Sequence, residues 1–212
     1  KFGAKVFAPW ASGLIESVGD PLGNMVDRFL GNFKKTTVKL LDSGISFDAQ
    51  TLGDLIANET MQASYYNVIE TTKRSFWGLI KKTGEKTEFT AVESAIADEF
   101  SSIFTFLGDA VTGSLDSLGL ASGQSIDNFK IDLPTLSFKD MSGEEIQAEL
   151  EAIFSQQGDL IAKYMLPQIA KYQEMGEGAF ETLTRVALEQ QVFNDALSTM
   201  GLSLGSLSNI MR

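Results

Sequence analysis

The chain has 212 residues, a net charge of −11, 43% hydrophobic and 21% charged residues; this composition is ordinary for a folded protein, and the length allows one large or two small domains burying roughly 70% of the unfolded surface. The acidic balance argues against general affinity for nucleic-acid phosphate. The lack of any Cys or His excludes disulfides, thiolate metal sites, cysteine nucleophiles and the commonest general base and metal ligand. Charge is unevenly spread: residues 1–40 hold six basic and three acidic residues, 93–127 hold six acidic and none basic, and 140–212 hold eleven acidic against four basic. No run of 18 apolar residues occurs, so no simple membrane-spanning helix is expected. A start at Lys1, without Met or a signal pattern, reads as a piece of a longer polypeptide.

In chain order, Val6 to Phe33 is punctuated by Pro9, Gly13, Gly19, Pro21, Gly23 and Gly31. Leu14, Ile15 and Val18, then Leu22, Met25, Val26, Phe29 and Leu30, recur at helical spacing and predict two short amphipathic helices. Asp20 is placed as an N-cap with Pro21 at the first helical position. Helices so short and so interrupted are marginal alone, so this leader, 1–33, is expected to need partner surfaces.

The period then changes. Thr36 to Leu41 suits a strand, Asp42-Ser43-Gly44 reads as a turn before Ile45 to Phe47, and Leu52 to Ile56 as a helical turn. Tyr65 to Val92 is the stretch around which the rest is organised. Its first half is aromatic and β-branched, Lys81 to Lys86 offers a glycine-containing polar loop, and Glu85 to Val92 alternates as a second strand with Phe89 in the core. This is the pattern of an antiparallel hairpin. Lys73, Arg74, Lys81, Lys82 and Lys86 crowd its apex beside Phe76, Trp77, Leu79 and Ile80. So many apolar residues cannot all be buried within two strands, and some must press on another element or chain.

From Glu93 the period is helical. Ile96, Phe100, Ile103, Leu107, Val111, Leu115 and Leu118 form one stripe of about seven turns, ending in the Gly119/Gly123 region. Phe129 to Pro134 and Leu136 to Lys139 alternate as a strand interrupted by Pro134, an edge or a bulge. Ser142-Gly-Glu-Glu145 is a capping box. The helix behind it carries Ile146, Leu150, Ile153, Phe154, Leu160, Ile161 and Tyr164 until Pro167. A last helix spans about Glu177 to Met200, with Phe180, Leu183, Val186/Ala187, Phe193 and Leu197 inward. The fold class is therefore α+β: amphipathic N-terminal helices (1–33), a small antiparallel sheet built on a long hairpin (34–92), and long α-helices (93–212) with a strand at about 128–139, partly extended and partner-dependent.

Chemistry is sparse. Glu144, Glu145, Glu149 and Glu151 could suggest paired carboxylates, but acids in the first turns of a helix are stabilised by its dipole whatever the function. Glu177, Glu181 and Arg185 at i, i+4 spacing predict a helical ion pair or a bridge between subunits. No phosphate loop or calcium loop appears. The reading is of a protein without catalytic residues, metal or cofactor.

Asp42 to Phe47, then Tyr66 to Leu79 (YNVIETTKRSFWGL), and above all Met175 to Ala187 (MGEGAFETLTRVA) resemble, over roughly residues 20–200, the C-terminal region of tail tape-measure proteins of long-tailed bacteriophages. Ala179 stands where an aromatic is common. The resemblance implies a virion structural protein at the tail tip, held by hub and distal-tail proteins in three copies. Its leader would point up the tube lumen, with the full protein setting tail length and assisting DNA delivery through the host envelope. Genomic DNA would be a partner by proximity alone. Candidate interface residues are Arg74, Phe76, Trp77, Leu79, Glu177, Phe180, Glu181 and Arg185. The alternative is a membrane-active, channel-forming segment that enters the host inner membrane on ejection, with 1–40 as its active part; a cell-wall hydrolase domain is a third reading.

Overall fold

The computed structural model describes residues 39–75 and 80–199. The leader 1–33, residues 34–38, the candidates Phe76, Trp77 and Leu79, and residues 200–212 lie outside the described residues. The fold is mixed α+β, as expected. Of the described residues, 39–103 with 130–154 form one compact unit and 104–129 with 155–199 a second.

In the first unit, β1 (Leu40–Phe47), β3 (Ala63–Ser75), β4 (Ile80–Ala91) and β6 (Leu136–Ser137) make an antiparallel sheet in the order β4-β3-β1-β6. β2 (Gln50–Thr51) pairs separately with β5 (Lys130–Ile131). Residues 42–44 do not turn. They continue β1 opposite Val68, Asn67 and Tyr66, with a register shift between Leu40 and Asp42. Asp42 stabilises that irregularity by accepting hydrogen bonds from the Ser43 N–H at 2.8 Å, the Ser137 hydroxyl at 2.5 Å and the Tyr66 hydroxyl at 3.1 Å. Burial, together with that nearby carboxylate, raises the pKa of the Tyr66 phenol. Gly44 is required for a different reason from the one its turn-like context suggests: a Cβ there would run into the Leu136 carbonyl and the Tyr66 ring.

The hairpin forms, but its reversal is displaced from the predicted site. Lys81 to Lys86 belong to β4, paired in register from Arg74↔Lys81 to Ile69↔Lys86, and the chain reverses between Ser75 and Ile80. Gly84 sits opposite Thr71, whose hydroxyl donates to the Gly84 carbonyl at 3.1 Å. Facing threonines favour continuing the ladder over turning. Phe89 is also misplaced by the alternation. It lies on the edge strand and is 64% exposed, although its cross-strand neighbour Tyr66 is buried.

α1 (Leu52–Asn58) begins with a capping box: the Thr51 hydroxyl accepts from the Asp54 N–H while the Asp54 carboxylate accepts from the Thr51 N–H. α2 (Ser94–Ser117) buries the predicted stripe from Ile96 to Leu115. Its end is a Schellman motif: Gly119 has φ +65°, Leu120 N–H donates to the Leu115 carbonyl at 2.9 Å, and Gly119 N–H to that of Asp116 at 3.0 Å. The Tyr65 hydroxyl donates to Glu93 at 2.6 Å, tying β3 to the residue that opens α2. Phe100 meets Phe47 edge-on at 5.1 Å between centroids and Phe154 at 5.7 Å, forming the aromatic centre of this unit.

Residues 129–139 form two very short strands rather than one. β5 joins β2 and β6 joins β1, with Pro134 in the connection, where no ladder N–H is needed. α3 (Gly143–Met165) starts at the predicted Ser142/Glu145 box. Its stripe departs from expectation at one position: Gln157 is buried while Leu160 is 43% exposed. The row Ile153, Gln157, Ile161, Met165 runs at i, i+4, and Leu160 falls beside it. A 3-10 helix (Pro167–Tyr172) follows, then α4 (Ala179–Thr199). In the second unit, Gly158 on α3 permits close packing: a Cβ there would lie 3.3 Å from both the Leu107 and Phe180 side chains.

Candidate functional site

The strongest block of the resemblance, Met175 to Ala187, folds into a clasp at the start of α4. Glu177 N–H donates to the Glu174 carbonyl at 3.1 Å, closing a turn whose third residue, Gly176, has φ +92°. Only glycine takes that conformation without strain. The next glycine has another task. Asp159 of α3 accepts from the Phe180 N–H at 3.0 Å, capping α4 from a distant part of the chain. A Cβ on Gly178 would collide with that carboxylate.

The Glu177 carboxylate is the centre of the clasp. One oxygen accepts from Arg185 Nε at 2.7 Å. The other accepts from Arg185 Nη2 at 3.0 Å, the Thr182 hydroxyl at 3.0 Å and the Glu174 N–H at 3.1 Å. The guanidinium beside it, aided by the Glu174 amide and the Thr182 hydroxyl, pulls the Glu177 pKa down to about 2 against the opposing effect of burial. Arg185 also donates to the Tyr172 carbonyl at 3.0 Å and to Glu189 at 3.2 Å, and lies 3.7 Å from Glu174. Its pKa is raised, chiefly by Glu177.

This corrects the predicted pairing of Arg185 with Glu181. The ion pair joins Glu177 to Arg185, eight positions apart, because Glu177 lies in the turn before the helix rather than within it. Glu181 is left in a poorer environment: burial, then the negative charge of Glu177, raises its pKa. Phe180 is 6% exposed and belongs to the core of its unit. Arg74 stands opposite Lys81 in the hairpin ladder; Phe76, Trp77 and Leu79 lie outside the described residues. Asp159, Thr182, Glu189 and the Tyr172 carbonyl complete the clasp without having been predicted. Glu189 was legible as i+4 from Arg185; Asp159 carried no local signal.

Beyond the clasp, α4 departs again from expectation. Phe193 is 49% exposed, joined by Leu188 at 56% and Val192 at 61%. Among the described residues no group of three or more His, Cys, Asp or Glu side chains could hold a metal ion, and no described helix is long and apolar enough to cross a membrane. Comparison with protein-family models, with curated protein sequences and with solved structures gives no match for this chain.

Proposed function

We propose that this chain is the C-terminal part of a long-tailed phage tape measure, anchoring it in the tail tip through hub and distal-tail proteins. One observation carries the reading. The block with the most specific likeness, Met175 to Ala187, is consumed by its own architecture. Gly176 allows the turn, Gly178 makes room for Asp159, Phe180 and Leu183 fill the core, and Arg185 spends its donors on Glu177, Glu189 and Tyr172. A sequence signature spent on holding a turn to a helix supports a scaffold more than a substrate pocket. Large apolar side chains left on the surface, Phe89 and those of α4, further support a protein completed by neighbours.

The test is placement within the virion. Antibody against 143–199 should label the distal tip of intact tails. Cross-linking mass spectrometry should join the same segment to hub and distal-tail proteins. In-frame removal of helical residues from the parent polypeptide should shorten the tube by about 1.5 Å per residue. Absence of the chain from purified tails, or tail length independent of such deletions, overturns the proposal.

A further inference from the structure

β4 is the outer strand of its sheet, and among the described residues no strand pairs with its far side. It is long for an edge: its 12 residues run opposite β3 without a register shift. Residues 83–91 are exposed throughout. Hydrogen bonds around the ladder fix which backbone groups face outward. The Val92 N–H donates to the Ala63 carbonyl at 3.3 Å, so Ala63 and every second residue of β3 after it are directed towards β4. The Glu70 N–H donates instead to the Lys39 carbonyl at 2.9 Å, which turns Glu70 towards β1 and agrees with that phase. Gly84, Lys86, Glu88 and Thr90 therefore bond β3. Thr83, Glu85, Thr87, Phe89 and Ala91 present their N–H and C=O groups to the open side.

Natural edges are commonly blunted by brevity, proline, bulges or charge. This stretch has no proline and no bulge, and its charges, Glu85, Lys86 and Glu88, form a self-complementary set. We propose that residues 83–91 pair antiparallel with the same strand of a second copy, about a two-fold axis through Thr87. Charge selects that register. An axis through Glu85, Lys86 or Glu88 would set that residue against itself, and like charges directly opposite are destabilising. An axis through Phe89 would shorten the overlap to 87–91. With Thr87 on the axis, the outward groups of Glu85 bond Phe89 and those of Thr83 bond Ala91. Lys86 then stands opposite Glu88 on both sides of the axis, at the closely spaced positions that exchange no backbone bonds. Lys86 and Glu88 already pair along one strand at 2.8 Å, so two copies close a ring of four alternating charges. A foreign strand would have to match this pattern; a second copy matches it by symmetry. The pairing does not depend on the tail-tip reading.

Sedimentation velocity of the full chain over roughly 10–500 μM should show a monomer–dimer equilibrium, since so small a contact lies at the weak end of interfaces. Salt should weaken it. Lys86→Glu sets acid against acid across the axis, and Glu88→Lys sets base against base. Each variant alone should weaken self-association about five-fold or more. Mixed in equal amounts, the two variants restore opposite charges at both positions. The mixed dimer should therefore return to within about three-fold of the wild-type affinity. Both side chains are exposed, so neither change should alter the circular dichroism spectrum. A monomer throughout this range overturns the proposal. Association of any order that ignores both reversals, or a mixture that binds no tighter than the single variants, also overturns it.

Discussion

Replacing Arg185 with Met should uncouple the clasp in a way that pH reveals. The Glu177 side chain is 12% exposed and that of Arg185 24%, so the pair is only partly screened. Depression of the Glu177 pKa from 4.5 to about 2 corresponds to at most about 3.4 kcal/mol at ~1.4 kcal/mol per unit. Water around Arg185 and Glu189 reduces the net effect to about 1.5–2.5 kcal/mol. The sign follows from the depressed carboxylate: its stabilisation is present above pH 4.5 and is lost as pH falls from 4.5 towards 2. The wild type should therefore lose about 2 kcal/mol more than Arg185→Met between pH 5 and pH 2. Glu177→Gln should flatten the profile in the same way, and the double variant should show a coupling of at least about 1 kcal/mol. Urea-dependent hydrogen exchange, read by mass spectrometry over peptides 172–190, isolates this segment. Parallel pH profiles in wild type and Arg185→Met, or a cost below about 0.5 kcal/mol, would refute the electrostatic account of the clasp.

Gly44→Ala should push β6 away from β1, lowering stability by about 1–3 kcal/mol as overpacking does; an unchanged thermal midpoint would exclude the close approach to the Leu136 carbonyl. Phe89→Ala, on the exposed face of β4, should shift stability by no more than about 0.5 kcal/mol. Phe100→Ala, at the aromatic centre, should cost about 3–5 kcal/mol, and equal effects from the two would overturn the assigned burial. Glu181→Gln should leave stability at pH 7 unchanged or raise it by up to about 0.5 kcal/mol, because a raised carboxylate pKa means the charged form is the disfavoured one. Clear destabilisation in urea titrations at that pH would mean that Glu181 has an attractive partner.

Periodicity was the dependable signal. The stripe from Ile96 to Leu115, the capping box at Ser142 and the long hairpin follow from local rules that tertiary packing did not override. Glycine was the ambiguous one. Gly44 and Gly84 stand in turn-like contexts, but a glycine marks either freedom in φ or the lack of a Cβ, and only the partner across the strand decides which. Alternation gave the phase of β4 without saying which phase is covered, so Phe89 was placed inside. The i, i+4 arithmetic around Arg185 failed because it counted from Glu177 as a helical residue. The flanking Gly176 and Gly178 were the sign that the helix begins later. Nothing local could reveal Asp159 as the cap of a helix 21 residues away. The exchange of Leu183 and Ala187 for Gln190 and Asn194 along one row was visible in the sequence, and it excluded Phe193 from the inward set.

The discontinuity of the two units has a consequence for synthesis. Neither is a continuous stretch of chain, and β1 must wait for its second neighbour, Gly44 pairing with Ser137, as β2 must wait for its own partner, Gln50 pairing with Ile131. The hairpin and β1 can assemble soon after residue 91 clears the ribosome, since Phe47 meets Ala63. At ~5–20 residues per second, the gap between finishing Ala91 and reaching Ser137 is about 2–9 s. For that interval the nascent sheet is the three-stranded β4-β3-β1 with the far side of β1 unpaired, the kind of edge that recruits foreign strands. Closure of the sheet is thus timed by translation, and the bare backbone at Gly44 is held open for a carbonyl that arrives about ninety residues later.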